Sequence, residues 1–364
     1  MAVSTSEYRL SSEDSLKLFV ARILEKTGVA PADAATVGEV LVASDIRGIE
    51  SHGVPRLKGF YVDRIRNGTI NPRPTMTTLR ETATSLALDA GNGLGQPASK
   101  FAIEQVIAKA KECGSAFGTV RNSNHFGIAG YYAMMALEHD MIGIASTNTM
   151  RAAAPTFGRD LLLGTNPFAY AIPAQDEPDF VLDFATTTVP RGKIEVYERK
   201  GLPLKPGWAI DADGNETLDP QEAVNGALLP LGGFGNESGG YKGYGLGMLV
   251  EILCGVLAGG TFGMDIPLPT DPQQEGAISH FFAAFRIDGF RDPAEFKKDM
   301  DEELRSFKNS KRAEGQDRIF VAGEIEHEKT LYNREHGVPV HIKVWNELEQ
   351  LALDLDVPFA IAKA

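Results

Sequence analysis

The spacing of apolar residues changes once along this chain, and that change limits the folds open to it. Over about the first 70 residues they recur with a helical period. Leu16, Phe19, Val20, Ile23 and Leu24 fall on one face, behind Ser11 or Ser12 as N-cap, and Gly28 ends the run. A second helix is predicted from Pro31, carrying Val37, Val40, Leu41 and Ile46. A third is predicted from Pro55, with Leu57, Phe60, Tyr61 and Ile65 inward and Gly68 as terminator. Asn71-Pro-Arg-Pro then reads as an extended linker. Beyond it, short strand-like runs appear at Thr84–Asp89, Ala116–Arg121, Met141–Thr147, Phe168–Ile172, Phe180–Phe184 and His280–Asp288.

Helices separate only some of these runs, at Pro97–Cys113 and Ile128–His139. Trp208–Asp211 and Glu216–Leu218 flank Asp213-Gly214, a hairpin signal. Gly226 to Gly247 reads as a glycine-rich loop, after which a helix runs through Leu249, Ile252 and Leu253. Ala294–Phe307 is expected as a charged, solvated helix. A short strand at Ile319–Val321 and helices at Ile325–Glu335 and His341–Leu353 follow. Strands and helices do not alternate strictly, so a doubly wound parallel sheet is not implied. The expected architecture is α/β with a mixed α+β sheet. Residues 1–75, completed by 311–364, form a helical domain, and residues 76–310 form a central α/β unit.

The 364 residues carry 36 basic and 49 acidic side chains, a net charge of −13. With 43% apolar and 23% charged residues the composition is that of a globular protein, not of a disordered chain or a collagen. The acidic balance speaks against nucleic acid as a main partner. Cys113 and Cys254 have no CxxC spacing, and both are expected as buried small hydrophobes. The first residues lack the basic and apolar regions of a signal peptide. The most apolar stretch, Gly245 to Gly263, is broken by Glu251 and reads as a buried helix rather than a membrane span. A reducing, cytoplasmic setting is expected.

Several chemistries lack their motif. There is no GxGxxG, since the sets Gly91, Gly93, Gly95 and Gly243, Gly245, Gly247 both miss the third position. GxxxxGK[ST], HExxH and GxSxG are absent as well. Glu324, Glu326, His327 and Glu328 are neighbours whose side chains point apart on a helix, so no metal site is expected.

Polar chemistry concentrates in three places. Ser51-His52-Gly53-Val54-Pro55-Arg56 joins the second and third helices. A hydroxyl, an imidazole, a guanidinium and free N–H groups at a helix start suit a small carboxylate bearing an adjacent oxygen. His52 can exchange a proton with that oxygen. The plainer account is that Ser51 caps the helix and His52 is a satisfied surface residue. Arg121-Asn122-Ser123-Asn124-His125-Phe126-Gly127 follows a strand. There His125 is a second candidate for proton transfer or substrate polarisation, set against simple turn chemistry. Third come backbone-rich turns at Gly164–Phe168, Asp183–Thr188 and Gly239–Gly245, where small residues let a phosphate approach main-chain N–H groups and Lys242 adds charge. Such turns are also often only flexible. His139, His280, His327, His336 and His341 are given no role.

Together these segments resemble the type-2 malate/L-lactate dehydrogenase family, which includes sulfolactate, ureidoglycolate and diketogulonate oxidoreductases and a cyclic-imine reductase. The motifs are SHGVPR at 51–56, NSNHFGIAGYY at 122–132, TNPFAYAIP at 165–173 and DFATTTVPRGK at 183–193. PGWAIDADG at 206–214, ALLPLGG at 227–233, GYKGYGL at 240–246 and AGEIE at 322–326 complete the set. The Gly235-Asn-Glu-Ser-Gly stretch is longer than in many relatives.

The resemblance implies a non-Rossmann NAD(P)-binding fold, a homodimer, and hydride transfer between nicotinamide and C2 of a small 2-hydroxy or 2-oxo acid. Malate/oxaloacetate or lactate/pyruvate head the substrates. By the same resemblance His52 is the proton donor and acceptor, His125 a second such histidine, and Ser51 and Arg56 lie at the substrate. Ser146, Thr165, Asn166, Pro167, Asp183, Phe184, Ala185, Thr186, Lys242, Ala322, Gly323 and Glu324 match cofactor contacts, to NAD or NADP. Reduction of a cyclic imino acid, or a ureidoglycolate- or sulfolactate-type oxidation, would use the same machinery. A non-catalytic dinucleotide-binding protein would not need Ser51, His52, Arg56 and His125 together.

Overall fold

The computed structural model describes residues 7–268 and 276–361. Among these residues eleven strands follow one another: β1 Tyr8–Ser11, β2 Thr77–Glu81, β3 Ser85–Asp89, β4 Ser115–Ser123, β5 Met141–Thr147 and β6 Phe168–Ile172. The rest are β7 Phe180–Phe184, β8 Ala209–Ile210, β9 Ala227–Leu228, β10 Ile278–Arg286 and β11 Val338–His341. Seven of them form one mixed sheet in the order β2-β3-β4-β10-β5-β6-β7. Only β3 and β4 run parallel, and every other pair is antiparallel. The fold is mixed α/β.

Both ends of the chain enter one apolar cluster. Leu16, Phe19, Ile23, Val37, Leu41, Leu57 and Tyr61 pack with Val338, Val340, Trp345, Leu348 and Leu351. Ser12 caps Glu13–Lys26 by accepting from the Ser15 N–H, and β1 pairs with β11 from Tyr8↔His341 to Ser11↔Val338. A second cluster lies under the sheet, where the apolar face of the Gly95–Cys113 helix covers it with Ala102, Ile103, Val106 and Ala110.

Several expectations need correction. The segment after Pro55 is not an α-helix from its first residue. Short 3-10 turns at Glu50–His52 and Val54–Arg56 lead into a π-helical stretch, Leu57–Val62, and only Asp63–Arg66 is α-helical. Ile128–His139 is broken into Ala129–Met134 and a 3-10 turn, Leu137–His139. The glycine-rich loop ends early, because Gly240–Glu251 is a helix. The hairpin at Asp213-Gly214 shrinks to one bridge, Ile210↔Glu216, since Asp211 takes the Asp213 and Asn215 N–H groups and β8 pairs with β9 instead. Ile319–Val321 forms no strand, and Phe320 there is exposed. Cys113 is exposed at a helix end, whereas Cys254 is buried.

Candidate active site

The register of the sheet places several chain crossings at one end. Ser123 closes β4 beside Ile278, which opens β10. Thr147 closes β5 opposite His280, Phe168 opens β6 opposite Ser146, and Phe184 closes β7 opposite Phe168. The polar segments that follow Ser123, Thr147 and Phe184 therefore leave the sheet on the same side, where strand ends commonly build sites.

The helical segment Glu50–Val62 faces that end. Its path is set by Asp45, fully buried in the Pro31–Ile46 helix, whose Oδ2 accepts the Val54 N–H at 2.8 Å. Burial pushes this carboxyl well above the usual range. Pro55 has no N–H, and Arg56 donates its own to Gly53 O at 3.0 Å. The free N–H groups expected at this turn are thus consumed inside the protein. The cation left at this turn is Arg56, whose Nε donates to Ser51 O at 2.6 Å and whose guanidinium lies 4.5 Å from the Phe60 ring centre.

This geometry brings all four expected catalytic residues together. The His52 and His125 rings stack at 5.6 Å with 23° between their planes. Ser51 Oγ lies 2.9 Å from His52 Nδ1, which leaves Nε2 for a ligand. Burial first, and then the Arg56 charge, lower the His52 pKa to about 4. Burial lowers His125 well below the usual histidine range, and His52, Arg56 and Arg64 act the same way. Both imidazoles are therefore neutral at pH 7. Asn124 fixes the loop beneath them, donating to Asn92 Oδ1 at 3.0 Å and Gly93 O at 2.9 Å.

Two residues here escaped the sequence reading. Tyr61, taken as a core residue, is fully buried and places its hydroxyl 2.6 Å from His125 Nδ1. His280, given no role, is buried in β10 and bridges Thr147 Oγ1 and Ser123 Oγ, each at 2.8 Å, while stacking on Phe126 at 4.6 Å. It ties both flanks of the Asn124-His125 loop to the sheet. A polar side chain at an alternating strand position was the one available signal.

The expected cofactor residues divide into three groups. Asp183, Ala322 and Gly323 line a cavity of about 250 Å³ together with Arg47, Gly130 and Glu326. It lies between the segments that carry His52 and His125. Asp183 accepts the Gly130 N–H at 2.7 Å, and burial pushes its carboxyl up to about 6 despite that bond and Arg47. Gly323 has φ +88°, and a Cβ there would stand 2.9 Å from Val181 backbone.

The second group is absent from the cavity lining and is held by contacts within the protein. Asn166 donates to Glu251 at 2.8 Å and Gly247 O at 3.1 Å, and Thr186 donates to Thr165 O. Pro167 O accepts from Thr147 N–H, Ser146 Oγ meets Cys254 Sγ, and the Phe184 ring meets Phe168 ahead of Ala185. The third group, Lys242 and Glu324, is likewise absent from the lining, although Glu324 sits between the lining residues Gly323 and Ile325. Lys242 opens the Gly240–Glu251 helix, and the Glu324 carboxylate is taken by Lys308 at 3.1 Å and Arg318 at 2.7 Å.

The malate/L-lactate dehydrogenase family model matches residues 11–349. The chain belongs to this family. It is 44% identical over 341 residues to malate dehydrogenase of Pyrococcus abyssi, covering 93% of each chain. It is 38% identical over 346 residues to L-sulfolactate dehydrogenase of Methanocaldococcus jannaschii, covering 95% and 97%. The crystal structure of malate dehydrogenase from Entamoeba histolytica superposes with a TM-score of 0.92 at 36% identity, over 97% of this chain and all of that one. More distant members include a ureidoglycolate dehydrogenase (NAD(+)) from Escherichia coli, 29% identical, and a (2R)-3-sulfolactate dehydrogenase (NADP(+)) from Chromohalobacter salexigens, 31% identical. This family member is an oxidoreductase acting on CH–OH donors.

Proposed function

We propose that the chain interconverts a small 2-hydroxy acid and its 2-oxo acid, malate and oxaloacetate first, with lactate and pyruvate next. The observation that carries this reading is the stacked His52–His125 pair with Arg56 beside it. A nicotinamide cofactor, when bound, accepts or returns the hydride. Arg56 holds the substrate carboxylate. Neutral His52 takes the hydroxyl proton at Nε2 during oxidation, while its Nδ1 stays on Ser51, and returns that proton in reduction. A substrate carboxylate offsets the Arg56 charge, which raises the His52 pKa in the complex.

The residues at the 250 Å³ cavity suit a dinucleotide. Asp183 and Glu326 offer acceptors for ribose hydroxyls, and Gly323 keeps the wall free of a side chain. Lys242, on the first turn of a twelve-residue helix outside that cavity's lining, is the cation for the pyrophosphate of a cofactor that extends beyond the cavity.

A second copy of the chain belongs to the same reading. Met248, Leu249, Ile252, Val256 and Leu257 form an exposed apolar stripe along one helical run, as an isologous dimer needs. Light scattering on the wild type and on Ile252→Asp reads this directly, with a dimer expected only for the former.

The deciding experiment is turnover of oxaloacetate, pyruvate, 3-sulfopyruvate and a cyclic imino acid, each with NADH and with NADPH. The highest kcat/KM is expected on oxaloacetate. A preference for the cyclic imine, or cofactor binding without turnover on any substrate, would overturn the assignment.

A further inference from the structure

The two stacked histidines, His52 and His125, have unlike surroundings. The Nδ1 of His125 lies 2.6 Å from the Tyr61 hydroxyl and 3.3 Å from the Gly127 backbone N. A hydroxyl can stand on either side of a hydrogen bond. A backbone N–H can only donate. The Gly127 amide therefore requires a lone pair on Nδ1, and Tyr61 must donate as well. A neutral imidazole with its Nδ1 lone pair engaged carries its proton on Nε2. Histidines that act as general bases have the opposite wiring, in which Nδ1–H donates to a carboxylate or carbonyl and Nε2 is left bare.

The supports of this arrangement are built in. Tyr61 is fully buried and anchored in the helical cluster. The Gln96 carboxamide, also fully buried, lies against the Tyr61 hydroxyl without closing a hydrogen bond of ordinary geometry. Phe60 meets the His125 ring edge-on at 5.2 Å. Ser123 and Phe126, on either side of the Asn124-His125 pair, are both held by His280.

We infer that His125 is a fixed Nε2–H donor that polarises the reacting oxygen of the substrate, and that Tyr61 is the positioning residue that locks its tautomer. His52 is then the sole carrier of the transferred proton. Among the described residues its Nδ1 meets only the Ser51 hydroxyl, which can donate or accept, so His52 can change tautomer and charge during turnover. His125 is held against such a change, because a proton on Nδ1 would meet the Gly127 N–H, which can only donate, and would force the Tyr61 hydroxyl to turn from donor to acceptor. During reduction the Nε2–H of His125 stabilises the negative charge growing on oxygen, and the His52 proton completes the hydroxyl.

The test is a long-range proton–nitrogen correlation spectrum of the full chain labelled with 15N-histidine, recorded with and without NADH. His125→Asn supplies the assignment. The expected spectrum has a pyrrole-type Nε2 and a pyridine-type Nδ1 at His125, with a population of the reversed tautomer appearing in Tyr61→Phe. A pyrrole-type Nδ1 at His125 in the wild type overturns the inference. Kinetics supply a second readout. His125→Asn is expected to lower kcat by about 10²–10³-fold, as loss of one polarising donor does, while keeping the ionisation in the pH profile. His52→Gln is expected to remove that ionisation, and its removal by His125→Asn instead overturns the inference. The chemistry rests on the proposed hydroxy-acid reaction, but the tautomer is read without turnover. An enzyme inert toward every 2-oxo acid would end the functional reading alone.

Discussion

Gly53 is the residue where the helical segment touches the buried carboxyl of Asp45, and Gly53→Ala turns that contact into a collision. A Cβ at position 53 would stand 1.9 Å from Asp45 Oδ1, 2.2 Å from its Cγ and 2.4 Å from Oδ2. Ordinary carbon–oxygen contact begins at about 3.4 Å, so about 1.5 Å of separation must be found. Asp45 cannot yield it freely, because its Oδ2 holds the Val54 N–H and its helix is packed on the apolar cluster. Overpacking of this kind costs about 1–3 kcal/mol, and a lost buried hydrogen bond about 1–3 more, so Gly53→Ala is expected to be about 2–6 kcal/mol less stable. His52 lies one residue away, and a displacement near 1 Å lowers turnover on the order of 10²-fold.

Urea denaturation and steady-state kinetics measure both effects. Asp45→Ala supplies the control. Alone it loses the Val54 acceptor, but paired with Gly53→Ala it clears the clash, so the double variant should be less damaged than the sum of the two. Gly53→Ala within about 0.5 kcal/mol and twofold in kcat of the wild type would refute the picture of Asp45 as the strut under His52.

Three other expectations follow from the site. With His52 near 4 in the free enzyme, kcat/KM for oxidation should be flat around neutrality and fall tenfold per unit below about pH 4, because the base must be neutral. In reduction the sign reverses, since only about one part in 10³ of His52 is protonated at pH 7, so kcat/KM should fall as pH rises above about 4. A profile of either direction centred at 6.5 or above would contradict the burial argument. Arg56→Gln should raise the KM of the 2-oxo acid by about 10–100-fold with the cofactor KM nearly unchanged, measured by varying each in turn. Asp183→Ala should do the converse, raising the cofactor KM by about tenfold and leaving the KM of the acid within about twofold.

The apolar period made some elements legible and hid others for physical reasons. Met141–Thr147, Phe168–Ile172 and Phe180–Phe184 have the bounds expected, because each is a short apolar run between turn-forming residues. Strand β2 escaped notice because all five of its residues are exposed and no alternation marks them. The Arg191–Lys200 helix buries only Ile194, so its charged sequence reads as surface. The β1–β11 pair joins opposite ends of the chain, and nothing local announces such a partner. At the site, His52 and His125 were visible because their neighbours are polar at element ends. Tyr61 and His280 were not, since an inward-facing position says nothing about where a hydroxyl or a ring nitrogen will point.

The pairing of Tyr8–Ser11 with Val338–His341 also orders events in time. A ribosome delivers the N-terminal helices, with His52 and Tyr61 behind them, long before it delivers Trp345, Leu348 and Leu351, which complete their apolar cluster. The sheet that carries His125 is fully translated once β10 has emerged, while the helical half still lacks its closing strand. The nascent protein thus holds one histidine of the pair in a sheet whose strands are all present and the other in a half-built helical core. The packing that aligns the two rings is complete only after residues 338–351 have emerged and closed the helical cluster.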